Sequence, residues 1–160
     1  MSAAIMAVCS WISIPIGVSV TMQTFGVLTV SALFGAKIGV ASVAVYLFLG
    51  AVGLPVFSGF RGGLGHLMGL SGGYLFGFLL TALTVGFFSK KGSSLWVSMA
   101  AGVIICYVFG TVWYAVLWGG GKSLWEVGLM CVIPFVPFDI LKIALSTFAV
   151  KRLKRKNLIK

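Results

Sequence analysis

Long uncharged stretches separated by one or two cations are the main pattern of this chain. Asp, Glu, Lys and Arg are missing from four stretches, 1–36, 38–60, 62–89 and 92–121. An α-helix rises about 1.5 Å per residue and needs roughly 20 apolar residues to cross a bilayer core, so each of the last three stretches can hold one crossing. The first is broken at Pro15 and Gly17 and by a polar cluster, which predicts a turn between two shorter helices. That cluster comprises Ser19, Thr21, Gln23 and Thr24.

Six helices follow from this pattern and from an apolar segment after Pro137. We place them near 2–14, 24–35, 38–54, 72–89, 94–118 and 137–152. The expected fold is an all-α integral membrane protein, a compact bundle of six transmembrane helices that forms a single domain over 1–160. No charged region precedes the first apolar run, so we expect no cleavable secretory signal. Residues 3–14 are short for a full crossing, as in a chain whose natural start lies further upstream.

Composition supports the membrane assignment. The chain has 160 residues, of which 60% are hydrophobic and 9% charged, and its mean hydropathy is +1.15. A soluble core of this size could not hide so much apolar surface.

The cations indicate an orientation. Six of the 12 Lys and Arg residues lie in the tail 151–160, directly after an apolar stretch, which is typical of a stop at a lipid surface and not of a nucleic-acid interface. If that tail is cytoplasmic, alternation puts Lys37, Lys90 and Lys91 on the same side and leaves Arg61 and Lys122 outside. This bias favours an even number of crossings, with both termini cytoplasmic.

Catalytic and cofactor signals are weak. Cys9, Cys106 and Cys131 stand singly in apolar surroundings, so we predict neither a disulfide nor a metal site. The segment that ends in Lys122 resembles the end of a P-loop, but that motif requires Gly where Val116 stands. His66 is the single histidine, and no nucleophile and base pattern accompanies it. We therefore do not expect an enzyme, nor nucleotide binding by this chain.

Small residues recur at helical spacing. Glycines recur at 65, 69, 73 and 77, and those that lie on a helix would form a smooth stripe that lets helices pack closely in lipid. A second interpretation is that Gly72 and Gly73, before Tyr74, let backbone approach a ligand, and the two can both hold. Ala3 and Ala7 have the same spacing on the first helix, and serve either packing in the bundle or contact with a partner membrane protein. The Gly- and Pro-rich stretch 54–63 suggests a folded outer loop.

The segment 133–142 carries the clearest chemistry. Pro137 suits the first turn of a helix, where its missing N–H costs nothing, so the last helix should begin there, inside the membrane. Asp139 and Lys142 then share one helical face near a positive helix N-terminus. Ionisable groups at that depth usually mark a functional site, although a structural ion pair is the alternative. They suit a small ligand with donors and acceptors, enclosed by aromatic walls from Phe57, Tyr74, Trp113 and Phe138.

Four segments in this order resemble the BioY family of biotin transporters. They are Pro15 to Gln23 followed by TFGVL at 24–28, GAVGLPVF at 50–57, GGYLFG at 72–77 and PFVPFDILK at 134–142. Members of that family are substrate-binding S components of energy-coupling factor (ECF) transporters. The resemblance implies a multi-pass protein of a bacterial cell membrane that binds biotin in an outward-facing pocket. It also implies docking onto a transmembrane T component that carries two ATPases, with ATP bound by those partners and no cofactor on this chain.

The same resemblance assigns roles to residues. Asp139 and Lys142 look like polar ligands of biotin, Gln23 belongs to a first loop that closes over the pocket, and Gly72, Gly73 and Tyr74 form a wall. Ala3 and Ala7 look like the contact with the T component. The ureido group of biotin would meet Asp139 as an acceptor, and its carboxylate would meet either Lys142 or Arg61. One departure is 69–71, which reads Gly-Leu-Ser where the family often has Gly-Pro-Thr.

Two other functions stay open at this point. One is an S component for a different vitamin. The other is a small oligomeric exporter or channel, which would need a charge-lined path or a carboxylate on an early helix, and the first four predicted helices have neither.

Overall fold

The computed structural model describes residues 1–14, 20–121 and 123–155. This part of the chain contains a two-stranded antiparallel hairpin, β1 Ser13–Ile14 with β2 Val20–Thr21, in which Ser13 pairs with Thr21. It also contains eight helices: α1 Ser2–Trp11, α2 Gln23–Phe34, α3 Ala36–Ala51, α4 Leu64–Leu67, α5 Gly72–Lys90, α6 Leu95–Trp118, α7 Leu124–Cys131 and α8 Val136–Arg155.

The helices fall into two length classes. Helices α5 and α6, with 19 and 24 residues, are long and apolar enough to cross a membrane, and α7 with α8, bent by 55° at their junction, can form a third span. Helices α1, α2 and α3 are apolar but have 10 to 16 residues. The chain is therefore a mostly helical membrane protein. A helix lies at each of the six predicted positions, and α4 and α7 are additional.

One local prediction was wrong. The polar cluster before α2 is not simply a turn, because Thr21 pairs in the hairpin and α2 already begins at Gln23. Of the regularly spaced glycines, Gly73 and Gly77 lie on α5, and Gly65 and Gly69 precede it. Pro15, Gly17, Ser19 and Lys122 lie outside the described residues, as do residues 156–160 of the predicted tail.

Close backbone packing joins α5 to α6. A Cβ at Gly73 would clash with Trp113, and one at Gly77 would press on Cys106, both on α6. The Thr81 hydroxyl lies 3.1 Å from the Gly77 carbonyl and 2.9 Å from the Gly102 carbonyl, and so bridges the two backbones. Helices in lipid associate through such contacts because lipid removes the hydrophobic driving force between them. The packing interpretation is confirmed for Gly73 and Gly77.

Helix α2 lies between two apolar clusters. One cluster joins α1, α2, α3 and α5 around Met6, Val43 and Phe57, and each of these side chains is 0% exposed. The other joins α2, α5, α6 and α8 around Leu28 and Met99. This arrangement holds the first turn of α2 close to the first turn of α8.

The stretch 54–63, predicted to be folded, belongs to the loop 52–71 between α3 and α5, and its start is held by side chains of neighbouring helices. The Val56 carbonyl accepts hydrogen bonds from the hydroxyls of Ser10 and Tyr46, and Trp11 Nε1 donates to the Pro55 carbonyl at 2.9 Å. Phe57, which follows, is fully buried beside Tyr46. Side chains of α1 and α3 thus fix the start of this loop, while its later part, with α4, reaches the mouth of a cavity.

Candidate ligand-binding site

A cavity of about 680 Å³ opens among the first turns of α2, α5 and α8, the middle of α6, and the loop 52–71. This volume is in the range of small-molecule sites, roughly 300–1,000 Å³. Its polar lining residues are Ser13, Thr21, Gln23, Thr24, Ser58, Arg61, His66, Ser71, Tyr74, Tyr107, Asp139 and Lys142. Its apolar walls include Leu70, Leu75, Phe78, Val103, Trp118 and Phe135.

A buried ion pair lines this cavity. Helix α8 begins at Val136, so Pro137 lies in its first turn and Asp139 is near its positive end, as expected from the sequence. Lys142 Nζ donates to Asp139 Oδ1 at 2.6 Å, and the two residues are 4% and 5% exposed. Charges buried so deeply are costly unless they are paired and hydrogen-bonded. Each of these two side chains therefore needs the other, which restricts what can replace either one.

Tyr107 is a member of the site that the sequence did not reveal. Its hydroxyl donates from α6 to Asp139 Oδ2. The apolar pattern of α6 gives no indication of which face meets α8. Two facts could have pointed to Tyr107. A tyrosine inside a membrane helix needs a partner for its hydroxyl, and Asp139 is the one acidic residue predicted at membrane depth.

Gln23 provides an unsatisfied donor. It is the first residue of α2 and is 3% exposed, and its side chain lines the cavity. Within the described residues its Nε2 has no hydrogen-bond partner. A buried amide without a partner costs about 1–3 kcal/mol, so a ligand that accepts from Nε2 would recover that cost.

Arg61, His66 and Ser71 form a second polar group on the cavity wall. Arg61 is exposed, and His66 Nε2 lies 3.4 Å from Ser71 Oγ. The His66 ring stacks on Phe57 with centroids 5.2 Å apart. Burial, and then the charge of Arg61, lower the pKa of His66 below its ordinary value. Arg61 is therefore the permanent cation of this group, beside a neutral imidazole at pH 7.

Four of the residues predicted for the site lie behind its wall. Phe57 is fully buried beneath the loop, and Trp113 donates from Nε1 to the Gly69 carbonyl at 3.3 Å. Gly72 and Gly73 are buried, and a Cβ on them would meet the Leu67 carbonyl and Trp113 respectively. They support the wall without lining it. Tyr74 does line the cavity and donates to the Cys131 carbonyl at 3.4 Å.

Three further residues singled out in the sequence have positions outside the cavity lining. Phe138, expected as a wall, is 38% exposed. Ala7 is 7% exposed and belongs to the apolar cluster around Met6, and Ala3 is partly buried against the same cluster. Packing within the bundle therefore covers much of this small-residue face.

Glu126, the second acidic residue, has a structural contact of its own. Its carboxylate accepts from the Ser123 backbone N–H at 2.9 Å, and the Ser123 hydroxyl accepts from the Glu126 backbone N–H at 3.3 Å. This capping box starts α7 at an exposed position. The acid that faces the cavity is therefore Asp139.

Comparisons with known proteins identify the relatives of this chain. The model of the BioY family matches residues 1–158. The biotin transporter BioY of Thermotoga maritima is 40% identical over 156 residues, which cover 95% of this chain and 90% of that protein. The probable biotin transporter BioY of Pyrococcus horikoshii is 34% identical over 152 residues, 94% of this chain and 90% of that protein. A crystal structure of the S-component for biotin from an ECF-type ABC transporter superposes with a TM-score of 0.87 at 30% identity, over 96% of this chain and 87% of that one.

Proposed function

This chain belongs to the BioY family, and on that premise we propose that it binds biotin in the cavity beside Asp139 and Lys142, as the S component of an ECF transporter. It is a transporter component and not an enzyme. The observation that carries the ligand assignment is a buried acceptor and two buried donors that line one cavity, Asp139, Lys142 and Gln23 Nε2.

The ureido group of biotin fits these three polar groups. It has one carbonyl acceptor between two N–H donors. The Lys142 ammonium has three N–H donors, and one of them donates to Asp139. Gln23 Nε2 is unpaired within the described residues. The Asp139 carboxylate keeps lone pairs beyond those used by Lys142 and Tyr107. The donors would take the ureido oxygen, and Asp139 would accept from an N–H group.

The other end of biotin fits Arg61. The thiolane ring and the aliphatic chain would lie against Tyr74, Leu75 and Phe78, which line the cavity wall. The carboxylate keeps most of its hydration if it lies at an exposed cation, and Arg61 is exposed whereas Lys142 is buried and already paired. We therefore assign the carboxylate to Arg61, with Ser71 and neutral His66 as nearby polar groups.

Six crossings, with both termini cytoplasmic in a bacterial cell membrane, are part of the proposal. The Lys90 side chain packs over Gly35, two residues before Lys37, so cations of α3 and α5 lie at one end of the bundle. Lys151, Arg152, Lys154 and Arg155 follow at the end of α8. Cations concentrate on the cytoplasmic side of membrane proteins.

Partners complete the proposal. The T component and two ATPases would supply the ATP-driven step that this chain lacks. We keep the T-component contact on α1, through Ala3 and the small part of Ala7 that stays exposed. Residues 1–160 would act as one membrane domain.

Binding and coupling are testable separately. Detergent-purified protein is titrated by calorimetry with biotin, riboflavin and thiamine, and we expect heat of binding with biotin alone. Binding of another vitamin in place of biotin would contradict the ligand assignment. Copurification with the T component and ATPases, followed by ATP-dependent biotin uptake into vesicles, tests the partners. Uptake that needs no ATPase would favour a self-sufficient transporter.

A further inference from the structure

The two oxygens of the Asp139 carboxylate have partners of different kinds. Oδ1 accepts from Lys142, which is three residues away on the same helix, at 2.6 Å. Oδ2 accepts from Tyr107, which is on α6. Among the side-chain hydrogen bonds recorded for the described residues, the Tyr107 bond is the one that connects Asp139 to another helix.

These partners constrain the carboxylate unequally. A lysine ammonium ends a flexible four-carbon chain and can follow a carboxylate that rotates. A tyrosine has a rigid ring and two side-chain torsions, and the backbone of α6 is held against α5 through Thr81 and Gly102. Tyr107 therefore fixes the plane of the carboxylate, and Lys142 compensates its charge.

A fixed carboxylate plane determines where its remaining lone pairs point. An ionised carboxylate has about four acceptor positions, and Tyr107 and Lys142 occupy two of them. Asp139, Lys142 and Tyr107 all line the cavity, so the lone pairs left over are available to a ligand there. If the plane turned, a ligand N–H would lose its alignment, and hydrogen bonds weaken steeply as they bend.

We propose that Tyr107 is a positioning residue for ligand selectivity. It holds Asp139 in the one orientation that accepts a ligand N–H, so the cavity distinguishes biotin from analogues in which that N–H is blocked. This inference rests on the proposed function, because it takes biotin as the ligand. A Tyr107 that merely bridges α6 to α8 would support the fold without affecting this selectivity.

The test compares two ligands across matched variants. Tyr107→Phe removes the hydroxyl and keeps the ring, and Tyr114→Phe makes the same change seven residues later on α6, at a residue that does not line the cavity. The ligands are biotin and a biotin methylated on a ureido nitrogen, measured by calorimetry with the purified full chain. Each methyl isomer is used, since either nitrogen could face Asp139.

We expect Tyr107→Phe to weaken biotin binding by roughly 10- to 100-fold, because the ligand N–H loses its aligned hydrogen bond to the charged Asp139 carboxylate and such bonds contribute about that much. The affinity of the isomer that blocks the N–H facing Asp139 should fall less than about threefold on the same substitution. The ratio between its affinity and that of biotin should therefore approach one. Tyr114→Phe should leave both affinities unchanged. Equal losses for biotin and for both isomers, or no loss, would overturn the inference.

A double-mutant cycle gives a second measurement. In an Asp139→Asn background, titrated with biotin up to millimolar concentration, Tyr107→Phe should have less than about a twofold further effect, because its route through Asp139 is gone. A full additional loss would show that Tyr107 acts independently of Asp139. If the unsubstituted chain does not bind biotin, the proposed function fails and this inference with it. If biotin binds and Tyr107→Phe leaves selectivity intact, this inference alone fails.

Discussion

Lys142 Nζ lies 2.6 Å from Asp139 Oδ1 on the cavity wall, with 4% of Lys142 and 5% of Asp139 exposed. A buried ion pair of this kind is weak evidence for stability, because apolar residues of similar volume often serve a fold as well or better. Because the ion pair lies on the wall of a cavity, we attribute its presence to recognition of a polar ligand and not to stability of the fold.

Removing either member of this pair should weaken biotin binding. For Asp139→Asn and for Lys142→Ala we expect a loss of about 3 kcal/mol, because each change removes a ligand contact and leaves a buried partner unpaired. Calorimetric titration in detergent measures it. Glu126→Gln is the control, since Glu126 is an exposed helix cap, and its affinity for biotin should not change. Unaltered affinity in both pair variants would contradict the site assignment.

Replacing both members together separates stability from binding. The variant Asp139→Leu with Lys142→Met removes both buried charges, so we expect it to unfold at a higher temperature than Asp139→Leu alone, which strands the lysine. Biotin binding should stay lost in the double variant. Thermal unfolding followed by tryptophan fluorescence, with and without biotin, measures both effects. Recovery of biotin binding would show that the pair is structural.

Gln23 should matter for the ligand more than for the fold. Its buried Nε2 has no partner within the described residues, so Gln23→Met removes a group that costs free energy in the unliganded protein. We expect the variant to be as stable as the original chain or slightly more so, and to bind biotin about tenfold more weakly. Thermal unfolding without ligand and calorimetry with biotin provide the two numbers. A large loss of stability would place Gln23 in the fold instead.

Glycines of the four-residue spacing 65, 69, 73 and 77 should differ in whether they tolerate an added methyl group. Gly73→Ala should lower the free energy of unfolding by about 1–3 kcal/mol, because the new Cβ would clash with Trp113 and overpack the α5–α6 contact. Gly65→Ala is the matched control, since a Cβ there has no heavy atom within 4 Å. Denaturation in a mixed detergent series compares them. Equal effects would contradict the packing role of Gly73.

The sequence predicts the elements with long-range periodicity better than the short ones. Helices α5 and α6 begin and end within one residue of their predicted limits, because uncharged stretches bounded by Lys90, Lys91 and small residues determine them. Helix α4 and the β1–β2 hairpin have four and two residues per element, too few for a hydrophobic period to register. Their formation depends on contacts with other parts of the chain.

The residues of the candidate site likewise include some that the sequence predicts and some that it does not. Asp139 and Lys142 were predictable because Pro137 fixes the start of a helix and the spacing of three residues sets one face. Of the predicted aromatic walls, Tyr74 lines the cavity and Trp113 does not, since which side of α6 faces the cavity depends on how α5 packs against it. Trp113 turned out to cover Gly73, while Tyr107, six residues earlier, reaches Asp139.

Acidification should destabilise the chain through His66. Burial and the nearby Arg61 lower the pKa of His66 in the folded protein, so below about pH 6.5 the unfolded chain takes up a proton that the folded chain resists. Stability should therefore fall as the pH drops from 7 toward the lowered pKa of His66. The variant His66→Gln keeps a polar side chain of similar reach beside Ser71 but cannot titrate. We expect the Tm of the original chain to fall more between pH 7 and pH 5.5 than that of His66→Gln. Because His66 is the single histidine of the sequence, parallel decreases in Tm would show that its protonation is not coupled to folding.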